Sequence, residues 1–304
     1  MIALVLIHNH RYDGNLSRLD ALYRDRFDRI WHLMPFYEGV QKNVIPIYEN
    51  SFHFQGYIAQ GWRWFEEPSV SHYCFVADDL LLHPAISAKN LCAELGIGAK
   101  SGFFERLRPL HEEPFWGHTQ KAFALNEASR GSEAARLLPP PEEVEARLKR
   151  HGLSSLPVPG RLRFRPPSGQ WWSPRFWLSH WHYRRAVRQN YPLPYPFIGS
   201  YADYAVVPAS ALARFAHYCG LFASMRLFVE IALPTALLLA VDEIATLKPS
   251  GWRPGAMWKP EEVDALGSRY AWDLDRMLDD FPAKQLYFHP IKLSRWKSAD
   301  KGRS

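Results

Sequence analysis

Residues 73–79 read Tyr-Cys-Phe-Val-Ala-Asp-Asp, an apolar run that ends in two consecutive carboxylates. A continuous apolar run of this kind is typical of a parallel strand that is buried on both faces. Ile2–Ile7 is a second run of the same character. We therefore expect both segments to be strands of an α/β domain, with Asp78 and Asp79 at the end of the later strand.

Strands and helices alternate along roughly the first 80 residues. Leucines and aromatic residues at helical spacing predict amphipathic helices, and short apolar segments between them predict strands. This alternation favours a mixed, largely parallel sheet flanked by helices, in which ligands bind at the carboxyl ends of the strands. The predicted strands are Ile2–Ile7, Arg29–Met34, Asn43–Tyr48 and Tyr73–Ala77, and the predicted helices are Asn15–Phe27 and Gln55–Phe65.

The sequence changes character after residue 101. Residues 102–173 are rich in Pro and Arg and predict an inserted segment between two parts, 1–101 and 174–304. In the last part, Tyr204–Pro208 predicts another strand. The apolar run Leu227–Val241 is shorter than the ~20 residues that a membrane-spanning helix needs, so we interpret it as a buried helix.

Composition excludes several classes of protein. The 304 residues are 47% hydrophobic and 22% charged, which excludes disordered, collagen-like and coiled-coil chains. Lys and Arg exceed Asp and Glu by 37 to 31, an excess that fits an anionic ligand, an acidic membrane surface or nucleic acid equally. No nucleic-acid-binding module is recognisable, so we expect no nucleic-acid partner. Three widely spaced cysteines and a start without a basic leader predict a cytoplasmic protein.

The acidic pair is the strongest candidate for chemistry. Two carboxylates at the end of a buried strand are costly unless a cation compensates their charge. Mg²⁺ and similar ions prefer oxygen ligands and often share their coordination with substrate phosphates. Asp78 and Asp79 therefore predict a divalent metal site that also binds a diphosphate. The alternative is that one acid caps the following helix while the other is solvated.

A second candidate lies near the C-terminus, where an apolar strand precedes His289-Pro-Ile-Lys292. Imidazole can complete a metal site, and lysine binds phosphate as a point charge. His289 and Lys292, three residues apart, can therefore serve one metal–diphosphate. The alternative is that His289 is only a turn residue before a proline.

Two further acids stand among apolar neighbours. Asp203 enters the strand Tyr204–Pro208, and Glu230 lies within the apolar run that follows. A carboxylate in such surroundings is costly unless it is paired or functional, so both are candidate general bases for a hydroxyl group. The alternative for Asp203 is a turn cap or an ion pair with arginine. The sequence does not separate the two candidates.

The loop after the first strand has polar and aromatic residues where a nucleotide would bind in such a fold. Tyr12 can stack on a base, and Arg11 or Arg18 can face phosphate. Asn15 is also suited to cap the following helix. There is no GxGxxG and no Walker A motif, which gives dinucleotide and P-loop folds no support. The candidate nucleotide-binding residues of this loop are His8, Asn9, Arg11, Tyr12 and Asn15.

The chain resembles the GT-A nucleotide-sugar glycosyltransferases in architecture and in short motifs, over about residues 1–90 and 195–295. In that family a strand of the N-terminal half ends in an acidic DxD-type motif, and a His…Lys element follows late in the chain. The resemblance implies that Asp79 and His289 bind Mn²⁺ or Mg²⁺ and that Asp78 and Lys292 contact the donor. It also implies that Asp203 or Glu230 deprotonates the acceptor. Ala77 stands where a strict DxD motif has its first acid.

The resemblance assigns roles to the three parts of the chain. Residues 1–101 would bind the nucleotide-sugar donor, 102–173 would lie on the acceptor side, and 174–304 would bind the acceptor and return to the donor site. The expected acceptor is a glycan or a lipid-linked sugar, made at the inner face of a bacterial membrane. A basic, arginine-rich zone fits peripheral association with that membrane. The candidate acceptor-binding residues are Trp172, Trp177, Gly199 and Tyr201.

An alternative from another class is a binding protein of the same fold that takes up a nucleotide or glycan without catalysis. Ala77 in place of an acid is the observation in favour of this alternative.

Overall fold

The structure is a computed structural model that describes residues 1–113, 116–119, 121–122, 132–153 and 195–297. Its strands are β1 (Ile2–Ile7), β2 (Ile30–Pro35), β3 (Val44–Ile47), β4 (His72–Ala77), β5 (Leu81–Leu82), β6 (Gly102–Phe104), β7 (Arg108–Pro109), β8 (Ile198–Gly199), β9 (Tyr204–Pro208), β10 (Ile244–Thr246) and β11 (Tyr287–Phe288). Its α-helices are α1 (Leu16–Tyr23), α2 (Phe54–Phe65), α3 (Leu91–Leu95), α4 (Glu133–Arg136), α5 (Pro141–Arg150), α6 (Leu212–Ser224), α7 (Val229–Ala240), α8 (Leu247–Ser250), α9 (Pro260–Arg269) and α10 (Leu274–Asp279).

Seven strands form one sheet in the order β10–β6–β9–β4–β1–β2–β3. Neighbouring strands are parallel except at β9, which runs antiparallel to both β4 and β6. The predicted mixed, largely parallel sheet flanked by helices is confirmed. β6, at the start of the residues that we assigned to the insertion, is a strand of this sheet.

The buried core follows from the apolar runs. β1 and β4 are buried along their whole length, as their continuous apolar sequences predict. α2 packs against α6 and α7, and α7 is buried at nearly every position of its 12 residues. The interpretation of the run at 227–241 as a buried helix is therefore confirmed. Within the described ranges, no helix is long and apolar enough to cross a membrane.

Three helices of the C-terminal part, α8, α9 and α10, are missing from the sequence prediction. α9 has a proline in its first turn, and the side chain of Glu262 accepts hydrogen bonds from the backbone preceding it. α10 begins after Asp273, whose side chain accepts a hydrogen bond from the Arg276 backbone. Both are ordinary helix-start signals. α9 and α10 were missed because they are short, at 10 and 6 residues, and each has only a few apolar positions.

The C-terminal segment returns to the acidic end of β4. β11 pairs antiparallel with β5, which follows the two acids directly. On its other side the returning segment runs beside residues 253–257, where Met257 N donates to His289 O at 2.7 Å and His289 N donates to Gly255 O at 3.1 Å. A Cβ at Gly255 would lie 1.7 Å from the carbonyl oxygen of Tyr287, so only glycine permits this close approach.

Candidate functional site

Asn9 joins the two consecutive carboxylates at the carboxyl edge of the central strands. Its backbone N and side-chain Nδ2 donate to Asp78 Oδ1 at 3.0 and 3.2 Å, and Nδ2 also donates to Asp79 Oδ1 at 3.0 Å. The contact follows from topology, because β1 and β4 are parallel neighbours that end in register. Burial alone would raise the pKa of Asp78, but its interactions with His8 and Asn9 outweigh burial and lower that pKa.

The C-terminal segment supplies the next contact. Ile291 N donates to the backbone oxygen of Asp79 at 2.6 Å. His289 Nε2 lies 3.1 Å from Asp79 Oδ1. Residues that are 210 positions apart in the sequence therefore share one hydrogen bond. The two elements that sequence analysis predicted to serve one metal–diphosphate lie side by side.

His289 is held at both ring nitrogens, since the Tyr201 hydroxyl lies 2.5 Å from Nδ1. Burial opposes a charge on this imidazole. The hydrogen bond to Asp79 and the negative charges of Asp79 and Asp203 outweigh burial and raise the pKa of His289. In its protonated form the ring donates to Asp79 through Nε2 and to Tyr201 through Nδ1. The surrounding carboxylates thus favour the positively charged form of His289.

Asp203 reaches the same edge because β9 is antiparallel to β4. Val76 pairs with Tyr204, and Ala77 N donates to the backbone oxygen of Asp203 at 2.9 Å. The carboxyl group is partly buried. Burial raises its pKa from 3.8 to about 6, with the charge of Asp79 adding to the rise and that of His289 opposing it. Asp203 is therefore a carboxylate whose proton is exchangeable near neutral pH.

Glu230 lies in the first turn of α7 and is also partly buried. Ser200 N donates to its backbone oxygen at 2.9 Å, which ties the start of α7 to the segment before Asp203. Burial and the charge of Asp203 raise the pKa of Glu230 from 4.5 to about 7, against the opposing charges of Arg108 and Arg106. Glu230 and Asp203 therefore influence each other, and both are ready to exchange a proton.

A series of buried polar side chains lies behind the site, and the sequence analysis did not predict it. His8 Nε2 lies 2.9 Å from His32 Nδ1, and His32 Nε2 lies 3.0 Å from Asp20 Oδ1. Both histidines are fully buried. At the other end, His8 Nδ1 lies 3.5 Å from Asp78 Oδ2, beyond ordinary hydrogen-bond distance. The signal in the sequence was a histidine in the middle of the apolar strand β2.

The hydrogen-bond donors and acceptors of this series of side chains can be assigned in turn. If His32 donates Nε2–H to Asp20, its Nδ1 must accept a proton from His8 Nε2. His8 Nδ1 faces Asp78 Oδ2 at 3.5 Å. Burial also lowers the pKa of His32. The lowered pKa favours a neutral His32, and the series of side chains orients His8 against Asp78.

The structure brings only part of the predicted nucleotide loop to the acidic pair. Arg11 pairs with Glu38 at 2.7 Å and with Asp13 at 3.4 Å, so its guanidinium is occupied elsewhere. Arg18 donates to the backbone oxygens of Leu293 and Trp296 at 2.5 and 2.7 Å, and it anchors the C-terminal segment rather than facing phosphate.

The remaining predicted residues have mixed placements. Tyr12 is half exposed. Asn15 makes no side-chain cap to α1. Lys292 is exposed, and among the described residues its ammonium forms no ion pair. A Cβ at Gly199 would make only ordinary contacts of 3.6 Å or more with the protein. Trp172, Trp177 and the arginine-rich zone lie outside the described residues.

The side chains that could coordinate a metal ion are few, so they fit a metal only in a site where other ligands complete the coordination. Among the described residues, no group of three or more His, Cys, Asp and Glu side chains is placed to hold a metal. Asp79 and His289 supply two donors on adjacent atoms. A hard divalent ion with two protein ligands takes its other ligands from water and phosphate oxygens, as Mg²⁺ commonly does. Ala77, buried in β4, adds no donor.

Neither the family models nor the curated proteins compared with this chain match it. Function is therefore argued from the side chains at the carboxyl edge of the sheet.

Proposed function

We propose that this protein is a glycosyltransferase that moves a sugar from a nucleotide-diphosphate donor to a hydroxyl group of a glycan or lipid-linked acceptor. The observation that carries the proposal is the contact between His289 and Asp79 at 3.1 Å. It joins a carboxylate to an imidazole whose pKa is raised, at the edge where α/β sheets bind ligands. The GT-A type of fold is part of this proposal.

The donor diphosphate would lie over Asp79 and His289. A metal ion would be held by Asp79 and by the unprotonated Nε2 of His289. Without a metal, the imidazolium form of His289 would place a positive charge near the phosphate oxygens. The exposed Lys292 is three residues away on the same segment. Asp78 and Asn9 close the end of β1 and would face the ribose. A divalent cation at Asp79 would act as a Lewis acid that stabilises the leaving diphosphate.

Transfer forms a bond between the acceptor oxygen and the anomeric carbon of the donor sugar. The bond from that carbon to the diphosphate oxygen breaks, and the nucleotide diphosphate leaves with the electron pair. The acceptor hydroxyl proton passes to a carboxylate. Asp203 is the better base in this proposal, because its pKa of about 6 leaves it ionised at pH 7.5 and it adjoins the acidic end of β4. Glu230, with a pKa of about 7, is the second candidate.

A binding protein without catalysis is the second candidate function. Ala77 and the two-donor metal site favour it, because the cluster lacks the acid that a strict DxD motif would add. Such a protein would bind a nucleotide sugar and never cleave it. A cytoplasmic place in bacterial surface-polysaccharide synthesis belongs to the transferase proposal alone.

The test is calorimetric binding of UDP, GDP, CDP and their sugar conjugates, with Mn²⁺ and again with excess EDTA. We expect one nucleotide family to bind, and Asp79→Asn to weaken that binding about tenfold, or ~1.4 kcal/mol. Asp28→Asn is the matched control, because Asp28 is exposed and precedes β2 at the opposite edge of the sheet. If Asp79→Asn binds the nucleotide as tightly as wild type does, the proposed donor site at Asp79 is refuted. Binding without transfer or donor hydrolysis would favour the second candidate.

A further inference from the structure

Trp258 is an exposed aromatic residue beside the candidate site. Its relative exposure is 71%. Its ring stands edge-on against Tyr201, with ring centroids 5.9 Å apart and an angle of 80° between the planes. Tyr201 in turn contacts His289, which contacts Asp79. Trp258 is thus one aromatic ring away from the cluster at the carboxyl edge of the sheet.

The backbone around Trp258 is fixed although its ring is exposed. Trp258 N donates to Glu262 Oε2 at 2.8 Å, and Lys259 N donates to the same oxygen at 3.1 Å. On the other side, Met257 N donates to His289 O at 2.7 Å. The hydrogen bonds that place His289 therefore also place Trp258. Little conformational entropy is left to lose when a ligand covers a ring that is presented in this way.

The surroundings of the ring indicate the kind of ligand. Lys259 and Glu261, which follow it, are exposed and charged, so the indole has charged neighbours along the sequence. A protein partner needs a larger apolar patch than a single ring. A side-chain hydrogen bond joins Asp203 to Tyr201, so carboxylate oxygens are close to the ring that Trp258 contacts. One apolar face beside carboxylates suits a sugar ring, whose C–H face packs on indole while its hydroxyl groups bond to the carboxylates.

We propose that Trp258 is the stacking platform for a pyranose ring at this site. The inference rests on the proposed transfer between sugars, and it names Trp258 as the residue that holds one of them. Trp172 and Trp177, the sequence-based candidates for this role, lie outside the described residues. Trp258 was overlooked because its neighbours in the sequence contain no other aromatic residue and no acid that lines the site.

The test is ¹⁹F NMR of the full chain labelled with 5-fluorotryptophan. Trp258→Phe and Trp64→Phe assign two of the 12 tryptophan signals. Trp64 is the matched control, because it is 72% exposed and lies near the end of α2, at the opposite edge of the sheet. The probes are the methyl glycosides of glucose, galactose and mannose, in both anomers, because one stacked ring supports binding only on the order of 10 mM.

We expect at least one glycoside to move the Trp258 signal and to leave the Trp64 signal in place. Saturation-transfer NMR on that glycoside should then show about tenfold weaker binding to Trp258→Ala and near-normal binding to Trp258→Phe and Trp64→Ala. A Trp258 signal that none of the six glycosides moves would overturn the proposal. So would a signal that moves with UDP, GDP or CDP and with none of the glycosides, because that result indicates base stacking.

Two further titrations separate the source of the sugar from the failure of the proposed function. A glycoside shift that persists under saturating nucleotide diphosphate identifies the acceptor sugar. If a nucleotide sugar moves the Trp258 signal and the glycosides then cause no further shift, the ring holds the donor sugar. A glycoside shift in a protein that binds no nucleotide would leave the sugar platform standing and would refute the transferase.

Discussion

Asp203→Asn should make the protein more stable at pH 8 while removing sugar transfer. The carboxyl group is partly buried, and burial raises its pKa from 3.8 to about 6. A pKa raised in the folded state means that the ionised form is disfavoured there. At 1.36 kcal/mol for each pKa unit, ionised Asp203 costs the folded state at most ~3 kcal/mol. Because the group is partly solvated, we expect a measured gain of about 1–3 kcal/mol.

The pH dependence identifies the cause. The cost of the ionised Asp203 to the folded state is absent well below pH 3.8, grows between pH 3.8 and 6, and is complete above pH 6. At pH 5 about half of this cost is present. Urea unfolding of wild type and Asp203→Asn at pH 5 and pH 8 should therefore give a difference that roughly doubles at the higher pH. The pKa of Glu230 should also fall, because the charge of Asp203 helps to raise it. Asp28→Asn, an exposed acid, should change neither value.

The same variant should lose transfer by about two to four orders of magnitude, because it lacks the base that receives the acceptor proton. Donor affinity should stay within a few-fold of wild type. A stability difference that is negative, or that does not grow with pH, would show that Asp203 is not a strained buried carboxylate. Full transfer by Asp203→Asn would pass the role of base to Glu230, to be checked with Glu230→Gln.

Three other variants test separate parts of the structure. Tyr201→Phe removes the hydroxyl that contacts His289, and it should lower the pKa of His289 less than Asp79→Asn does. ¹⁵N NMR of the imidazole measures both pKa values. Equal effects would contradict the conclusion that the charge of Asp79 raises the pKa of His289. Arg18→Gln frees the C-terminal segment and should speed hydrogen exchange there, with unchanged exchange meaning that Arg18 is not its anchor. His32→Gln should destabilise the protein most above pH 7 and less towards pH 5. The reason is that burial lowers the pKa of His32, so the unfolded wild type gains a proton before the folded one does. Urea unfolding with no such trend would refute a neutral buried His32.

Several elements were predictable because local sequence alone decides them. Tyr204–Pro208 was predicted with the bounds that the structure has, and Ile2–Ile7 likewise, since a continuous apolar run is typical of a strand buried on both faces. The helix at α2 differs from its prediction by one residue. α9 and α10 were missed because they are short and each has only a few apolar positions.

The site was predictable only as separate pieces. The carboxylates Asp78, Asp79, Asp203 and Glu230 stood out because a charge among apolar residues is costly wherever the chain folds. His32 and Trp258 did not stand out, because their importance depends on neighbours that are distant in sequence. Arg18 was assigned to phosphate, whereas it binds backbone oxygens of the C-terminal segment.

The sequence by itself determined the class of fold and the residue types that need a functional reason, because burial and periodicity are local properties. Tertiary structure decided which of those residues meet. The antiparallel direction of β9 brings Asp203 to the end of β4, and the pairing of β11 with β5 brings His289 to Asp79. Such pairings join segments more than 100 residues apart, and they depend on how the whole sheet and its helices bury their apolar faces together. No short stretch of sequence contains that information.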